Sequence, residues 1–197
     1  DGYGRYNFFE GGAIYYHPNL GTYAIPKIIA EVWKKEGWEK GTLGYPTSDE
    51  IIKNNNSVQY FEFGAVISTK GGSYKVIYNS LRSKNGLYTK WRQTGGIDSY
   101  LGDLVAPNKN YPKTFRYHFA EFQNGFIYEN PTINENPAFV IKKGPFFDYY
   151  AKQKWETGAL GFPISDEKIK KDGTLFQNFE HGTVFYSKSL GAFEQKL

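Results

Sequence analysis

"GTLGYPTSDE", residues 41 to 50, and "GALGFPISDE", residues 158 to 167, are identical at seven of ten positions. A phrase written twice at this length is a repeat, and a repeat decides architecture before any single residue does. A degenerate third copy, "LGDLVAP", runs from Leu101 to Pro107. The glycines Gly44, Gly102 and Gly161 are 58 and 59 residues apart, which is a structural period.

A second phrase, Phe-x-x-Gly followed by apolar residues, occurs four times: "FEGGAIYY" from Phe9, "FEFGAVIS" from Phe61, "FQNGFIYE" from Phe122 and "FEHGTVFY" from Phe179. Alternating residues flank a short turn bearing glycine, so each reads as a β-hairpin. A further β-like run follows each one: residues 21 to 25, 72 to 78, 137 to 142 and 191 to 195. A lone hairpin is marginal in water, and a third strand would complete a meander.

After the first three meanders, large apolar residues recur at helical spacing: Ile25, Ile28, Ile29, Val32 and Trp33; Leu87, Tyr88 and Trp91; Phe146, Phe147 and Tyr150. Pro26 and Pro145 suit the first helical turn, where a missing N–H costs nothing. Trp33, Trp91 and Tyr150 each stand ten residues before a loop leucine, which reads as core packing. Trp38 and Trp155 share a second register, where the middle copy has Gly96. A ring that one copy omits is not indispensable to a core, so these two are the better ligand candidates.

The repeated phrase then has a structural job. Gly41 and Gly158 end the turn after the helix, the leucine points inward, the next glycine takes a backbone conformation closed to other residues, and the proline stiffens the exit. The Ser-Asp-Glu that follows can bond its own backbone or cap a helical turn starting at "EIIK" (50 to 53) or "EKIK" (167 to 170).

The expected fold is α+β: a repeat array of four small antiparallel three-stranded meanders linked by three helix-loop connectors. Such units cannot bury their apolar faces alone and must stack. Beginning and ending on a hairpin would let the array close as a small propeller-like ring. The chain, residues 1 to 197, reads as one repeat domain with units at about 4–50, 51–107, 108–167 and 168–197.

Composition narrows the function. The chain holds no cysteine, hence no disulfide, thiolate metal site or cysteine nucleophile. The net charge of +4 comes from lysines scattered among acids, so nucleic-acid binding is not expected. No stretch is apolar enough to insert in a membrane, and the first dozen residues lack the basic and apolar regions of a signal peptide. Aromatic residues make up 19% of the chain, with 17 Tyr and 16 Phe, so some rings must reach the surface with an apolar face on offer.

The two phrases, the Trp-bearing helices before them and the Phe-x-x-Gly hairpins together resemble the LGFP repeat of bacterial cell-envelope proteins. The resemblance runs from Phe8 to Phe193; the middle copy departs from it, because Asp103 to Ala106 replace the aromatic-Pro-x-Ser-Asp part. It implies a noncatalytic, secreted or cell-surface module that attaches to wall polysaccharide, with no cofactor.

Catalysis has little support in the residues. His17, His118 and His181 lie in separate units and outside any metal-binding spacing, and no nucleophile elbow or phosphate loop occurs. A glycosidase needs one asymmetric carboxylate pair, whereas repeated acids suggest caps or equivalent weak sites. The expectation is therefore a multivalent, lectin-like binder of polysaccharide or cell-wall glycan, not an enzyme, with no metal. Its candidate ligand residues are Trp38, Trp155, Tyr45, Phe162, the acids Asp49, Glu50, Asp166 and Glu167, and the hairpin tyrosines Tyr16, Tyr128 and Tyr186. A protein-interaction or spacer module is the alternative, and a glycoside hydrolase a more distant one.

Overall fold

A computed structural model of the chain describes residues 2–53, 56–68, 73–80, 84–110, 118–130, 132–135 and 137–196. Four antiparallel sheets follow one another in sequence order. The first comprises β1 (Arg5–Phe9), β2 (Gly12–His17) and β3 (Gly21–Pro26). The second holds β4 (Ile51–Lys53), β5 (Asn56–Tyr60), β6 (Gly64–Ser68) and β7 (Tyr74–Tyr78). The third holds β8 (Leu104–Asn110), β9 (His118–Phe122), β10 (Gly125–Glu129) and β11 (Ala138–Lys142). The last holds β12 (Lys168–Ile169), β13 (Leu175–Phe179), β14 (Gly182–Ser187) and β15 (Gly191–Lys196). The helices α1 (Lys27–Lys35), α2 (Leu87–Gln93) and α3 (Pro145–Lys152) connect consecutive sheets.

Four expectations need correction. Among the described residues only the first sheet is three-stranded; the other three are four-stranded. The extra strands β4 and β12 arise where a capped helical turn was expected. Ile51 pairs with Val58 and Lys168 with Phe176, so these residues find a ladder beside the hairpin instead of closing a turn on themselves. The expected unit break between residues 107 and 108 falls inside β8, because the third sheet begins at Leu104. Residue 72, the start of one expected strand, lies outside the described residues. Pro145 opens α3 as anticipated, whereas Pro26 sits before α1 in extended conformation, and Ile25 belongs to β3. No strand pairing among the described residues joins the first sheet to the last.

The core is three cores in series, one around each helix. Ile29 and Trp33 of α1 pack between the first sheet (Ala13, Tyr15, Ile25) and the second (Phe61, Val66). Leu87, Tyr88 and Trp91 of α2 pack between the second sheet (Val58, Ala65, Ile67) and the third (Phe122, Ile127). Phe146 and Tyr150 of α3 pack between the third sheet (Phe126, Tyr128, Ile141) and the fourth (Phe179, Val184). Side chains alternate across a strand, so each inner sheet feeds two cores at once: Val66 turns back toward α1 while Ala65 and Ile67 turn forward toward α2. Each fully buried large side chain contributes about 1.5–3 kcal/mol.

Candidate functional site

The repeated phrase is the joint between a connector and the next hairpin. Tyr45 N–H donates to Glu62 Oε2 (2.9 Å), while Glu62 N–H and Phe63 N–H donate to the carbonyls of Tyr45 (3.0 Å) and Leu43 (2.9 Å). At the last hairpin, Phe162 N–H donates to Glu180 Oε2 (2.9 Å), and Glu180 and His181 N–H groups donate to Phe162 O (3.0 Å) and Leu160 O (3.1 Å). The degenerate copy keeps the same pattern with Gln123 Oε1 accepting from Asp103 N–H (3.1 Å). The loop leucine covers the hairpin glycine: a Cβ on Gly64 would meet Leu43 Cδ2 at 2.4 Å, and one on Gly125 would meet Leu101 Cδ2 at 2.8 Å.

The Ser-Asp part ties the loop to the sheet behind it. Ala24 on the edge strand β3 donates its N–H to Asp49 Oδ1 (2.7 Å) and accepts from Gln59 Nε2 at its carbonyl (2.9 Å). Val140 on β11 is held likewise, by Asp166 Oδ1 (2.8 Å) and Gln177 Nε2 (2.9 Å). Ser48 Oγ and Ser165 Oγ accept the N–H groups of Tyr60 and Asn178, both at 3.0 Å. Glu50 accepts from Ser57 Oγ (2.6 Å) and Glu167 from Lys142 Nζ (2.8 Å); Asp166 also pairs with Lys90. All four acids singled out as ligand groups thus have structural partners. Gln59 and Gln177, two residues before the hairpin phenylalanine, escaped notice in the sequence, although the shared Gln-x-Phe-Glu-x-Gly was there to be read.

The candidate rings divide. Tyr45, Phe162 and Tyr128 are buried. Tyr16 and Tyr186 both stand four residues after the hairpin glycine, but Tyr128 stands three after Gly125, and one residue along a strand reverses the face. Tyr128 therefore stacks on Phe119 and meets Tyr150 inside the core. Tyr16 is exposed, and Tyr186, half-buried, meets Phe146 edge-on. The core reading of the first helical register holds: Trp33 Nε1–H donates to Gly44 O (3.1 Å) and Tyr150 O–H to Gly161 O (2.9 Å), so each polar tip is satisfied where the ring is buried.

Trp38 and Trp155 are half-buried and carry positive φ, 55° and 58°; the middle copy has Gly96 at φ 61°. The backbone at this register is left-handed in all three connectors, and two of them hold a tryptophan at a place suited to glycine. In the middle copy Tyr60 takes the space, since a Cβ on Gly96 would lie 2.7 Å from its hydroxyl, and the Arg92 guanidinium lies 3.7 Å above the Tyr60 ring. The two tryptophans differ in surroundings. Phe147 packs against Trp155 (centroids 4.8 Å apart) and closes that flank. The helical position matching Phe147, three before the core aromatic, is Ala30 beside Trp38, and there the surface stays open.

The opening is a groove of about 390 Å³ between the first hairpin and α1. Phe8, Phe9 and Trp38 supply its aromatic surface, and Glu10, Glu31 and Lys34 its polar groups. Phe8 meets Trp38 edge-on at 6.2 Å, and Trp38 is braced by Trp33 at 5.1 Å. Among the described residues no three His, Asp or Glu side chains converge closely enough to hold a metal ion. Among the described residues no helix is long and apolar enough to cross a membrane.

The family model described as the LGFP repeat matches residues 1–41 and 160–195. No curated protein matches the chain. Among solved structures, the extracellular domain of a one-component system from B. thetaiotaomicron is similar at 12% identity over 96% of this chain and 23% of that one, with a TM-score of 0.20. That overlap is too slight to bear on fold or function.

Proposed function

We propose that this protein is a noncatalytic, cell-surface binding module that holds a polysaccharide strand in the groove between the first hairpin and α1. The observation that supports this reading is Trp38, a tryptophan in a left-handed turn conformation whose ring, with Phe8, lines an open groove bordered by Glu10 and Glu31. Aromatic faces bind the C–H surfaces of sugars, and carboxylates accept from their hydroxyls. Exposed hydrogen bonds only replace those to water, so the aromatic contact carries the affinity and the acids carry orientation. Lys27 and Lys34 on the same rim suit a wall polymer with anionic groups.

Because Phe147 fills the matching space beside Trp155, the groove of the first unit is the site to test. A glycan array and pulldown on purified cell walls, with Phe8→Ser and Trp38→Gly variants checked by circular dichroism, would do so. Glycine is the residue of the middle copy, so the second change keeps the backbone conformation. Loss of about tenfold in affinity, or 1.4 kcal/mol, is expected for each. Binding unchanged in both folded variants would remove the groove from consideration, and a saturable protein partner in place of a glycan would favour an interaction module.

A further inference from the structure

The first hairpin has every part of the joint that the other three use, and no connector lies on it within the described residues. Phe9, Glu10 and Gly12 correspond to Phe61, Glu62 and Gly64, to Phe122, Gln123 and Gly125, and to Phe179, Glu180 and Gly182. The three later phenylalanines are 0–1% exposed, whereas Phe9 is 60% exposed. Ile14 matches Val66, Ile127 and Val184, all 0% exposed, yet it is 42% exposed. The N–H groups of Glu10 and Gly11, whose counterparts donate to the carbonyls of the loop, have no backbone acceptor among the described residues. The atoms nearest to a Cβ on Gly12 would be backbone atoms of Ile25 and Lys27, where those nearest on Gly64 and Gly125 include a leucine Cδ2. An open pocket of about 420 Å³, lined by Phe9, Gly12, Ile14, Ala24 and Pro26, occupies this place.

The far end of the array is finished differently. The outward face of the fourth sheet carries Asn178 and Thr183, bonded to each other at 3.1 Å, where the second sheet has Tyr60 and Ala65. Its phenylalanines stack among themselves, Phe185 between Phe176 and Phe193, and Lys170 Nζ lies 4.2 Å above the Phe185 ring. A polar pair thus stands where an inner sheet feeds a core, and the three rings beside it are covered by one another and by Lys170, which finishes this face as a terminal repeat requires.

We infer that the outward face of the first sheet is a docking site for the helix-and-loop connector of another LGFP repeat. Its leucine would cover Gly12, its aromatic N–H would bond the Glu10 carboxylate, and the carbonyls of the leucine and the aromatic would accept from Gly11 and Glu10. The glycan groove opens on the α1 side of the same hairpin and shares Phe9 and Gly12 with this face, whereas Ile14 lines this face and not the groove.

The test extends the full chain at its N-terminus with a copy of residues 144–170. Phe179 stands nine residues after Lys170, and Phe9 would stand nine after the added lysine, so the natural spacing is reproduced. The chain has no cysteine, so Ile14→Cys gives a single reporter thiol. Maleimide labelling should slow about tenfold or more in the extended chain, the Glu10 and Gly11 amide resonances should shift, and Leu160→Asp in the added copy alone should restore fast labelling. Labelling unchanged by the extension would overturn the inference. Equal slowing with the aspartate control would also overturn it, because burial would then be nonspecific and would not depend on the leucine.

Discussion

A Cβ at Gly161 would lie 2.5 Å from Glu180 Oε2, the atom that accepts Phe162 N–H, and the backbone there has φ 70°. Gly44 and Gly102 repeat both conditions, with φ 76° and 74° and Glu62 Oε2 or Gln123 Oε1 in the way. Gly161→Ala therefore strains the backbone and displaces an acceptor together, and should cost about 2–4 kcal/mol by urea denaturation; a loss below 0.5 kcal/mol would show that the joint tolerates a side chain. Trp38→Gly should cost less than its ring area suggests, because relief of positive φ offsets part of the lost packing. Glu129 is a different residue-scale device. Buried, and bonded by the Ser80 N–H and hydroxyl, its carboxyl is pushed up to about 7 by desolvation. The native protein then holds a proton that the unfolded chain releases near pH 4.5. The resulting stability is complete below that pH and lost as pH rises toward 7, by up to about 3 kcal/mol. Urea midpoints at pH 5 and pH 8 should differ accordingly, and Glu129→Gln should flatten the difference. The glycines were legible because they recur at a fixed period, while Glu129 occurs once and owes its shift to neighbours that no local pattern announces.

Edge strands expose unpaired peptide groups, and two of the three joints use one side-chain pair to cover them. Ala24 and Val140 each have the N–H taken by an aspartate and the carbonyl by a glutamine of the next unit. Gln177 also donates to Ser165 O (2.9 Å), and its own Oε1 has no partner among the described residues. Gln177→Ala should thus orphan two carbonyls beside a sheet edge and cost about 1–3 kcal/mol, with amide exchange rising first in β11 and β13; exchange confined to neither strand would show that the tie is incidental. The middle joint has Ala120 in place of the glutamine, and there Lys75 Nζ donates to Leu104 O (2.6 Å) and Val105 O (2.9 Å). This explains what the sequence shows at element scale and what it hides. Hairpins and helices were readable because each has its own period and turn chemistry. The strands β4 and β12 were not, since "EIIK" and "EKIK" suit a helical turn locally and become strands only by pairing with β5 and β13. The structural partners of the acids expected as ligand groups were hidden for the same reason: Asp49 finds its partner 25 residues away and Asp166 finds Val140 26 away.

Three cores in series make stability a sum of neighbour terms, so damage should stay close to the joint that suffers it. Leu160 is fully buried between α3 and the last hairpin, and Leu101 holds the matching place at the joint of the second and third sheets. Either leucine to alanine should cost about 2–5 kcal/mol at its own joint. The outcomes differ in extent. Leu160→Ala loosens only the fourth sheet, which touches one core, so hydrogen exchange should quicken in β13 to β15 and stay near its original rate in β5 to β7. Leu101→Ala divides the array between two inner sheets that each feed two cores, so exchange should quicken on both sides, from β5 to β11. The same reasoning separates an open series from a closed ring. In a ring the fourth sheet would be held on its outer face as well, and Leu160→Ala would release it no more readily than Leu101→Ala releases the third. The bonded Asn178 and Thr183 on that outer face favour the open series, and uniform quickening from β1 to β15 in Leu160→Ala would instead mean that the four sheets unfold as one cooperative unit.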